Sequence, residues 1–249
     1  MVMFLIIKNI FKIHVFFYIF MFVCLFTGNI RDYLVFTSII IVHELGHVVG
    51  GFLFSWKIKK IVLLPFGGLT VFDVFINTSL FQQFIVTLLG PLFQIVFFTF
   101  IDFLFDLSGV LVFCNYALLL FNLLTIYPLD GSKFFYVFLC LLFPFKYSHL
   151  ILIFLSFFVM FLVIFFFGHF NLLVCLILLF LFFKCFSELK NHNLIFGRFL
   201  LERYINNFNF RFVRRVKCSN KMYLWCRHLF YDGNNYVSEK YFLMKLFDK

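Results

Sequence analysis

The sequence predicts an all-α polytopic membrane protein with six transmembrane helices and a small cytosolic α+β module at its C-terminal end. Three observations predict this class. The 249 residues are 64% hydrophobic and only 13% charged, far less charge than a soluble domain of this length carries. Apolar windows long enough to cross a membrane recur along the chain. The lysines and arginines, with the exception of Arg31, all fall on one side of the predicted spans.

The elements follow from the roughly 20 residues that a helix needs to span a bilayer. The apolar windows are 13–27, 33–54, 82–105, 110–127, 150–167 and 172–186. Residues 4–11 can extend the short first window, with Lys8 and Lys12 snorkelling to the interface. No small-x-small cleavage site follows it, so we expect an anchor rather than a cleaved signal peptide. A transmembrane domain is therefore expected over 1–187 and a basic module over 188–249.

The distribution of positive charge predicts the orientation. Of the 21 lysines and arginines, only Arg31 lies on the side opposite the termini. The positive-inside rule then places both termini in the cytosol and makes the second window run inward. At about 1.5 Å per residue, His43 lies about 15 Å and His47 about 21 Å below the outer end of that window. Chemistry at these residues would take place below the bilayer surface.

The pentapeptide His43-Glu44-Leu45-Gly46-His47 is the strongest chemical signal. On a helix, HExxH places two imidazoles one turn apart on one face, which suits zinc, and its glutamate can take a proton from a water at the metal. A buried histidine pair with a purely structural role is the alternative. A zinc or cation transporter is another, but it should have ligands spaced to hand the ion onward and often has internal repeats, and the sequence shows neither. A catalytically inactive scaffold is disfavoured because Glu44, which is not expected to be a ligand, is retained.

A catalytic zinc needs a third protein ligand, and one zinc per chain is expected. The acidic candidates in apolar surroundings are Asp102, Asp106 and Asp130. The first two lie near the external end of the third window, whereas Asp130 matches the depth of His47. Pro128 and Gly131 break the helix beside it, and broken backbone at membrane depth usually lines a buried cavity. An ordinary interfacial turn is the alternative.

Small residues in the apolar windows predict packing rather than chemistry. The seven cysteines form no CxxC pair, so neither a disulfide framework nor a cysteine zinc site is supported. Gly46 and Gly50 form a GxxxG pattern, which lets a second helix approach closely. Gly90-Pro91 is expected to kink or thin the third window.

These residues carry a family resemblance. The pentapeptide at 43–47, followed by Asn122 and then Pro128-Leu129-Asp130-Gly131, resembles the site-2 protease family of intramembrane zinc metalloproteases. The segments 54–68 and 198–204 are similar to the sporulation branch of that family, and the resemblance covers roughly residues 10–210. Thr125 and Ser132 depart from the family pattern, and altered backbone geometry rather than lost activity is expected from them.

The resemblance implies a zinc-dependent metalloendopeptidase that performs regulated intramembrane proteolysis. His43, His47 and Asp130 would be the zinc ligands and Glu44 the general base. A short membrane-associated β segment would meet the substrate. The implied substrate-binding residues are Asn122, Phe66, Gly67, Gly68 and Pro128.

The sporulation branch implies that the substrate is membrane-associated pro-sigma-K and that the enzyme lies in the membrane around the forespore, with its active site toward the mother-cell cytosol. Membrane inhibitor proteins and a homo-oligomer are further expected partners, and nucleic acid is not. The alternative is a general site-2 protease that cleaves anti-sigma factors or signal-peptide remnants. No stretch of the sequence is long enough for a PDZ insertion, which argues against the envelope-stress subtype of the family.

The C-terminal module is basic and mixed in pattern. Arg198–Ile205 reads as an amphipathic helix, Phe208, Phe210 and Phe212 alternate as in a strand, and Asp232-Gly233 is typical of a turn. The resemblance implies an abbreviated CBS-like domain with a link to ATP. The alternative is that the basic charge serves to bind anionic lipid.

Overall fold

The computed structural model describes residues 11–13, 15–28, 30–64, 67–166, 172–233 and 235–248, and most of these are helical. The helices are α1 (Val15–Phe26), α2 (Ile30–Leu53), α3 (Leu80–Phe105), α4 (Gly109–Leu123), α5 (Asp130–Leu142), α6 (Phe145–Phe166), α7 (Leu172–Ile205) and α8 (Glu239–Phe247). The strands are β1 (Phe11–Ile13), β2 (Lys57–Leu64), β3 (Gly67–Asp73), β4 (Val213–Val216), β5 (Arg227–Tyr231) and β6 (Tyr236–Ser238).

Three described helices are long and apolar enough to cross a membrane: α2, α3 and α6. They match the second, third and fifth predicted windows. Helix α4 is shorter and ends at Leu123, before a cis peptide bond between Tyr127 and Pro128. Helix α7 continues for 34 residues, well past the end of the sixth predicted window. The count of six spans stays a prediction.

The chain divides into two compact units, and the first comprises residues 1–74 and 84–123. Its sheet has the order β1-β2-β3, with β1 parallel and β3 antiparallel to β2. The strands cover the segment for which the family resemblance implies a β element. The core joins side chains of the helices to Leu63 of β2, and its buried members are Phe17, Tyr33, Ile39, Ile40, Leu63, Phe98, Leu107, Leu111 and Leu118.

The second unit comprises residues 75–83 and 124–249. Phe145, at the start of α6, stacks on Phe199 of α7 with ring centroids 4.2 Å apart. Beyond α7 the chain forms a second sheet of order β4-β5-β6, in which β4 is parallel and β6 antiparallel to β5. Ser238 caps α8 by accepting a hydrogen bond from the backbone N–H of Tyr241.

Arg203, in the last turn of α7, holds the second unit together from a buried position. Its five N–H groups reach the side chains of Asn77 and Glu239 and the carbonyl oxygens of residues 223, 224 and 226. All the donors of the guanidinium are thus used, which is what a buried charge requires. Burial lowers the pKa of the Arg203 guanidinium, and the Glu239 carboxylate opposes that effect.

His228 and Glu239 form a second buried pair beside this arginine. The N–H of Tyr223 donates to His228 Nε2, so Nδ1 carries the proton and donates to Glu239 at 3.1 Å. Burial lowers the pKa of His228, and its bond to Glu239 only partly offsets this. Burial alone would raise the pKa of Glu239, but the hydrogen bond from His228 and the charge of Arg203 leave it below its usual value.

One strand prediction in this region is wrong. Residues 208–212 do not form a strand: β4 begins only at Val213, and the single backbone bond to β5 in this stretch is the one that the carbonyl of Phe212, next to β4, accepts from the N–H of Arg227. The alternating phenylalanines contact separate partners instead: Phe208 packs on Phe75, Phe210 lies against Arg203, and Phe212 packs on Trp225. The predicted turn at Asp232-Gly233 is confirmed, because Gly233 has a φ of +83° and the N–H of Asp232 donates to the carbonyl of Asn235.

Candidate active site

The two histidines of the pentapeptide lie on one face of α2 and point to the same place. His43 and His47 are both buried, and their Nε2 atoms are 3.2 Å apart. Four residues make slightly more than one helical turn, so this convergence follows directly from the HExxH spacing. The local structure that the sequence predicts for these residues is confirmed.

Hydrogen bonds at the other ring nitrogens fix both imidazoles. His47 Nδ1 lies 2.9 Å from the carbonyl oxygen of Val86, which can only accept. His43 Nδ1 lies 2.8 Å from Gln94 Oε1. Gln94 Nε2 donates to the backbone and side-chain oxygens of Asn115, so its Oε1 must face His43. Both histidines therefore carry their proton on Nδ1 and a lone pair on Nε2.

This arrangement fits a zinc ion. Two nitrogens bound to tetrahedral zinc at about 2.05 Å lie about 3.3 Å apart, close to the separation of these Nε2 atoms. Two nitrogen lone pairs held this close in a buried site suit one shared cation, which both can coordinate. Ligand histidines also characteristically donate their second ring N–H to a carbonyl or carboxylate oxygen. His43 and His47 meet each of these requirements.

Glu44 is held beside this pair by the strand β3. Its Oε2 accepts a hydrogen bond of 2.6 Å from Thr70 Oγ1, and its side chain lies directly against the backbone of Gly68. A Cβ atom at position 68 would collide with the carboxylate, so only glycine allows this approach. The carboxylate is thus buried, anchored through one oxygen and oriented by two residues of one strand.

Glycines also let α3 pack against the metal helix. Gly46 touches the backbone of Leu89 and Gly90, and Gly50 touches Val86. This confirms that the GxxxG pattern allows close approach of a second helix. Gly90 has a separate role, because a Cβ there would meet the imidazole ring of His47. The Gly90-Pro91 pair therefore makes room for a ligand as well as packing.

The structure places the remaining predicted site residues as follows. Gly67 and Asn122 lie close together in the first unit: Asn122 Oδ1 is 3.9 Å from the point that a Cβ atom would occupy if position 67 carried a side chain. Phe66 lies outside the described residues. Pro128 and Asp130 belong to the second unit, where Asp130 is a buried residue at the start of α5. Its Oδ1 accepts a hydrogen bond of 2.8 Å from Lys133.

Sequence reasoning missed three residues of this site: Gln94, Thr70 and Gly90. Gln94 had a detectable signal, because a fully buried amide in the middle of an apolar window is costly unless it has a role. Thr70 had none, since threonine is common in strands. Gly90 was noticed only as a possible kink.

Comparison with known proteins agrees with this geometry. Residues 33–109 match the sequence profile of Peptidase family M50. Stage IV sporulation protein FB of Bacillus subtilis is 33% identical over 208 residues, which is 78% of this chain and 72% of that protein. The chain belongs to the site-2 protease family, Peptidase family M50.

A second sequence relative and a solved structure of similar fold are further matches. A protein of Synechocystis named Putative zinc metalloprotease sll0528 is 36% identical over 116 residues, covering 43% of this chain and 30% of that protein. The fold is similar to a site-2 protease from Methanocaldococcus jannaschii, with a TM-score of 0.55 and 22% identity over 72% of this chain and 89% of the other.

Membership in the site-2 protease family decides two of the earlier predictions and leaves one without support. The chain is a zinc metalloprotease and an integral membrane protein, as predicted. The transporter alternative loses its basis, because the site belongs to a protease family. The predicted link to ATP has no support in the fold or in the comparisons.

Proposed function

We propose that this protein cleaves a membrane-associated pro-sigma factor, pro-sigma-K, during sporulation, with His43, His47 and Asp130 as zinc ligands and Glu44 as the general base. The observation that carries the chemistry is the pair of Nε2 lone pairs 3.2 Å apart beside an anchored glutamate. The sporulation role is supported by the 33% identity to Stage IV sporulation protein FB over most of both chains.

Asp130 is proposed as the third ligand on the chemistry of the donor set. Two histidines and one carboxylate leave a fourth position open, which is the usual pattern of catalytic zinc. Asp130 is buried at the first position of α5, where its Lys133 partner offsets the negative charge. When bound, zinc would polarise the scissile carbonyl and make a water molecule more acidic.

Glu44 would move the proton. A general base must lie within hydrogen-bond reach of the proton that it takes, and Thr70 holds one carboxylate oxygen so that the other keeps a fixed direction. Glu44 would accept a proton from the attacking water and then deliver it to the leaving amine. The hydroxyl of Thr70 would stabilise the ionised carboxylate before the first of these events and again after the second.

The strand β3 would hold the substrate. In the described part of the chain β3 pairs with β2 along one edge only, and it carries Gly68 and Thr70 against Glu44. A substrate helix must unwind locally, because its own hydrogen bonds shield the peptide carbonyl. Adding the unwound segment as a strand along β3 would satisfy its backbone groups inside the membrane. Gly67 and Asn122 lie at the same end of this strand.

Co-expression with pro-sigma-K tests this function. The wild-type chain should release the shortened sigma factor, Glu44→Gln should retain zinc but give no cleavage, and Asp130→Asn should bind zinc weakly. Asp106→Asn is the matched control, because Asp106 is an exposed acidic residue at the end of α3. Cleavage by Glu44→Gln at the wild-type rate would remove this residue from the mechanism.

The general site-2 protease is the second candidate. The Synechocystis relative, whose name refers only to a zinc metalloprotease, favours it. An anti-sigma factor and a signal-peptide remnant should be co-expressed with the same variants. Cleavage of either substrate, together with no cleavage of pro-sigma-K by a zinc-loaded chain, would favour the general function. The forespore location, the cytosolic termini, the inhibitor proteins, the homo-oligomer and the ATP link stay predictions.

A further inference from the structure

A basic cavity of about 620 Å³ lies in the second unit, between its sheet and the first turn of α6. The residues that line it share a pattern of cationic side chains interleaved with tyrosines, and no aspartate or glutamate is among the described lining residues. The four cations are Arg214, Arg215, Lys217 and Lys221.

These cations are not neutralised within the described part of the chain. No carboxylate there forms an ion pair with any of them, although the same unit pairs Arg203 with Glu239 and Lys245 with Asp232. Like charges gathered in one concave site repel each other and favour a bound anion. The cavity therefore has the electrostatics of an anion site that lacks an internal counter-charge.

Tyrosine rings orient the two arginines. The Arg214 guanidinium lies 4.3 Å from the ring centroid of Tyr223, and that of Arg215 lies 4.9 Å from Tyr236. Such stacking restricts the planar fork and leaves its N–H edge available to an oxygen anion. A guanidinium held in this way matches the geometry of a phosphate group.

The position of the cavity indicates where the anion comes from. Pro144 and Tyr147 line the cavity and flank the first residue of α6, one of the helices long and apolar enough to cross a membrane. The backbone N–H of Phe145 donates to the carbonyl of Met222 at 2.8 Å, which ties the loop before β5 to this helix end. The end of a spanning helix lies at the level of the lipid headgroups, where tyrosine is enriched.

We propose that this cavity binds the phosphate of an anionic phospholipid headgroup. The four cations attract the phosphate, and the tyrosines contact the polar part of the lipid. A zwitterionic lipid carries an ammonium group that the four cations repel, so the site prefers a headgroup with net negative charge. The bound lipid would fix the C-terminal sheet at the membrane surface. This proposal is independent of the proteolytic chemistry.

Binding of a short-chain lipid to the purified full chain in a neutral detergent tests the proposal. Dihexanoyl phosphatidylglycerol should bind saturably, and dihexanoyl phosphatidylcholine should bind much more weakly. At about 1 kcal/mol per basic residue, Arg214→Gln/Arg215→Gln should weaken phosphatidylglycerol binding about thirty-fold. The matched control is Lys190→Gln/Lys240→Gln, which removes the same charge from exposed positions outside the cavity and should bind as the wild type does.

A second variant guards against loss of folding. Lys217→Gln/Lys221→Gln changes two cavity side chains that make no cation–π contact among the described residues. It should also weaken lipid binding while the unfolding temperature is unchanged. Equal loss in the cavity and control variants would overturn the proposal, as would equal binding of both lipids. Displacement of the lipid by inorganic phosphate or ATP at the lipid's own affinity would overturn it in favour of a soluble phosphate. Displacement by an acidic peptide would do so in favour of a protein partner.

Discussion

Replacing Gln94 by leucine should weaken zinc binding without touching a ligand. Leucine has a similar size, but it removes the oxygen that accepts the Nδ1–H of His43 at 2.8 Å. Gln94 is fully buried, so water does not replace that acceptor. Loss of such a partner costs about 10–100-fold in metal affinity, which corresponds to about 1.4–2.7 kcal/mol. The cleavage rate at limiting zinc should fall by the same factor.

The assay is competition for zinc between the detergent-solubilised chain and a fluorescent chelator. Asn115→Ala is the graded comparison, because Gln94 then loses one acceptor but keeps the backbone oxygen of Asn115 and its bond to His43. Thr99→Val is the control on the exposed face of the same helix. The zinc affinity is expected to be highest in Thr99→Val, lower in Asn115→Ala and lowest in Gln94→Leu. Wild-type zinc affinity in Gln94→Leu would refute the view that this bond positions His43.

Three further predictions concern Gly90, Arg203 and His228. Gly90→Ala puts a methyl group against the ring of His47 and should reduce zinc affinity at least about ten-fold in the same competition assay. Arg203→Met removes the cationic partner of the buried Glu239 carboxylate, which keeps only its bonds to His228. The local free energy of unfolding should fall by about 3–5 kcal/mol, measured by hydrogen exchange over β4 to α8. The protection of β4 to α8 against hydrogen exchange should also decrease as the pH is lowered below about 6.5. The reason is that burial lowers the pKa of His228, so that in this pH range the unfolded chain takes up a proton that the folded chain does not. Because the pKa of Glu239 is also below its usual value, further acid should continue the loss.

Each of these variants has a control that makes a comparable change. Gly197→Ala, where the structure has open space, should leave zinc binding unchanged and stabilise α7 by about 0.5–1 kcal/mol. Arg198→Met removes a largely exposed partner of Glu202 and should cost at most about 1 kcal/mol. His228→Asn should make protection less dependent on pH in the upper part of the acid range. An unchanged pH profile in that variant would assign the acid response to other groups.

Much of the site could be predicted because its residues are close in sequence. The convergence of His43 and His47 needs only helical geometry, and the placement of Glu44 beside them follows from the same turn. The resemblance carried by these residues and by the 122–131 segment reached the correct family, and the apolar windows reached a membrane protein. The GxxxG pattern similarly predicted a close helix contact, because small side chains are all that such a contact requires.

Tertiary structure decided what holds these groups in place. Gln94 and Val86 set the imidazole tautomers from a different helix, and Thr70 and Gly68 fix Glu44 from a strand. No local pattern pairs residues that lie 24 to 51 positions apart in the sequence. The same holds for residues 208–212, whose alternation resembles a strand although each ring packs on a different partner. The sequence by itself determined the ligand types and their spacing, because helical periodicity is local. Only the folded chain determined the orientation of those ligands, because orientation depends on hydrogen-bond partners that the sequence keeps far apart.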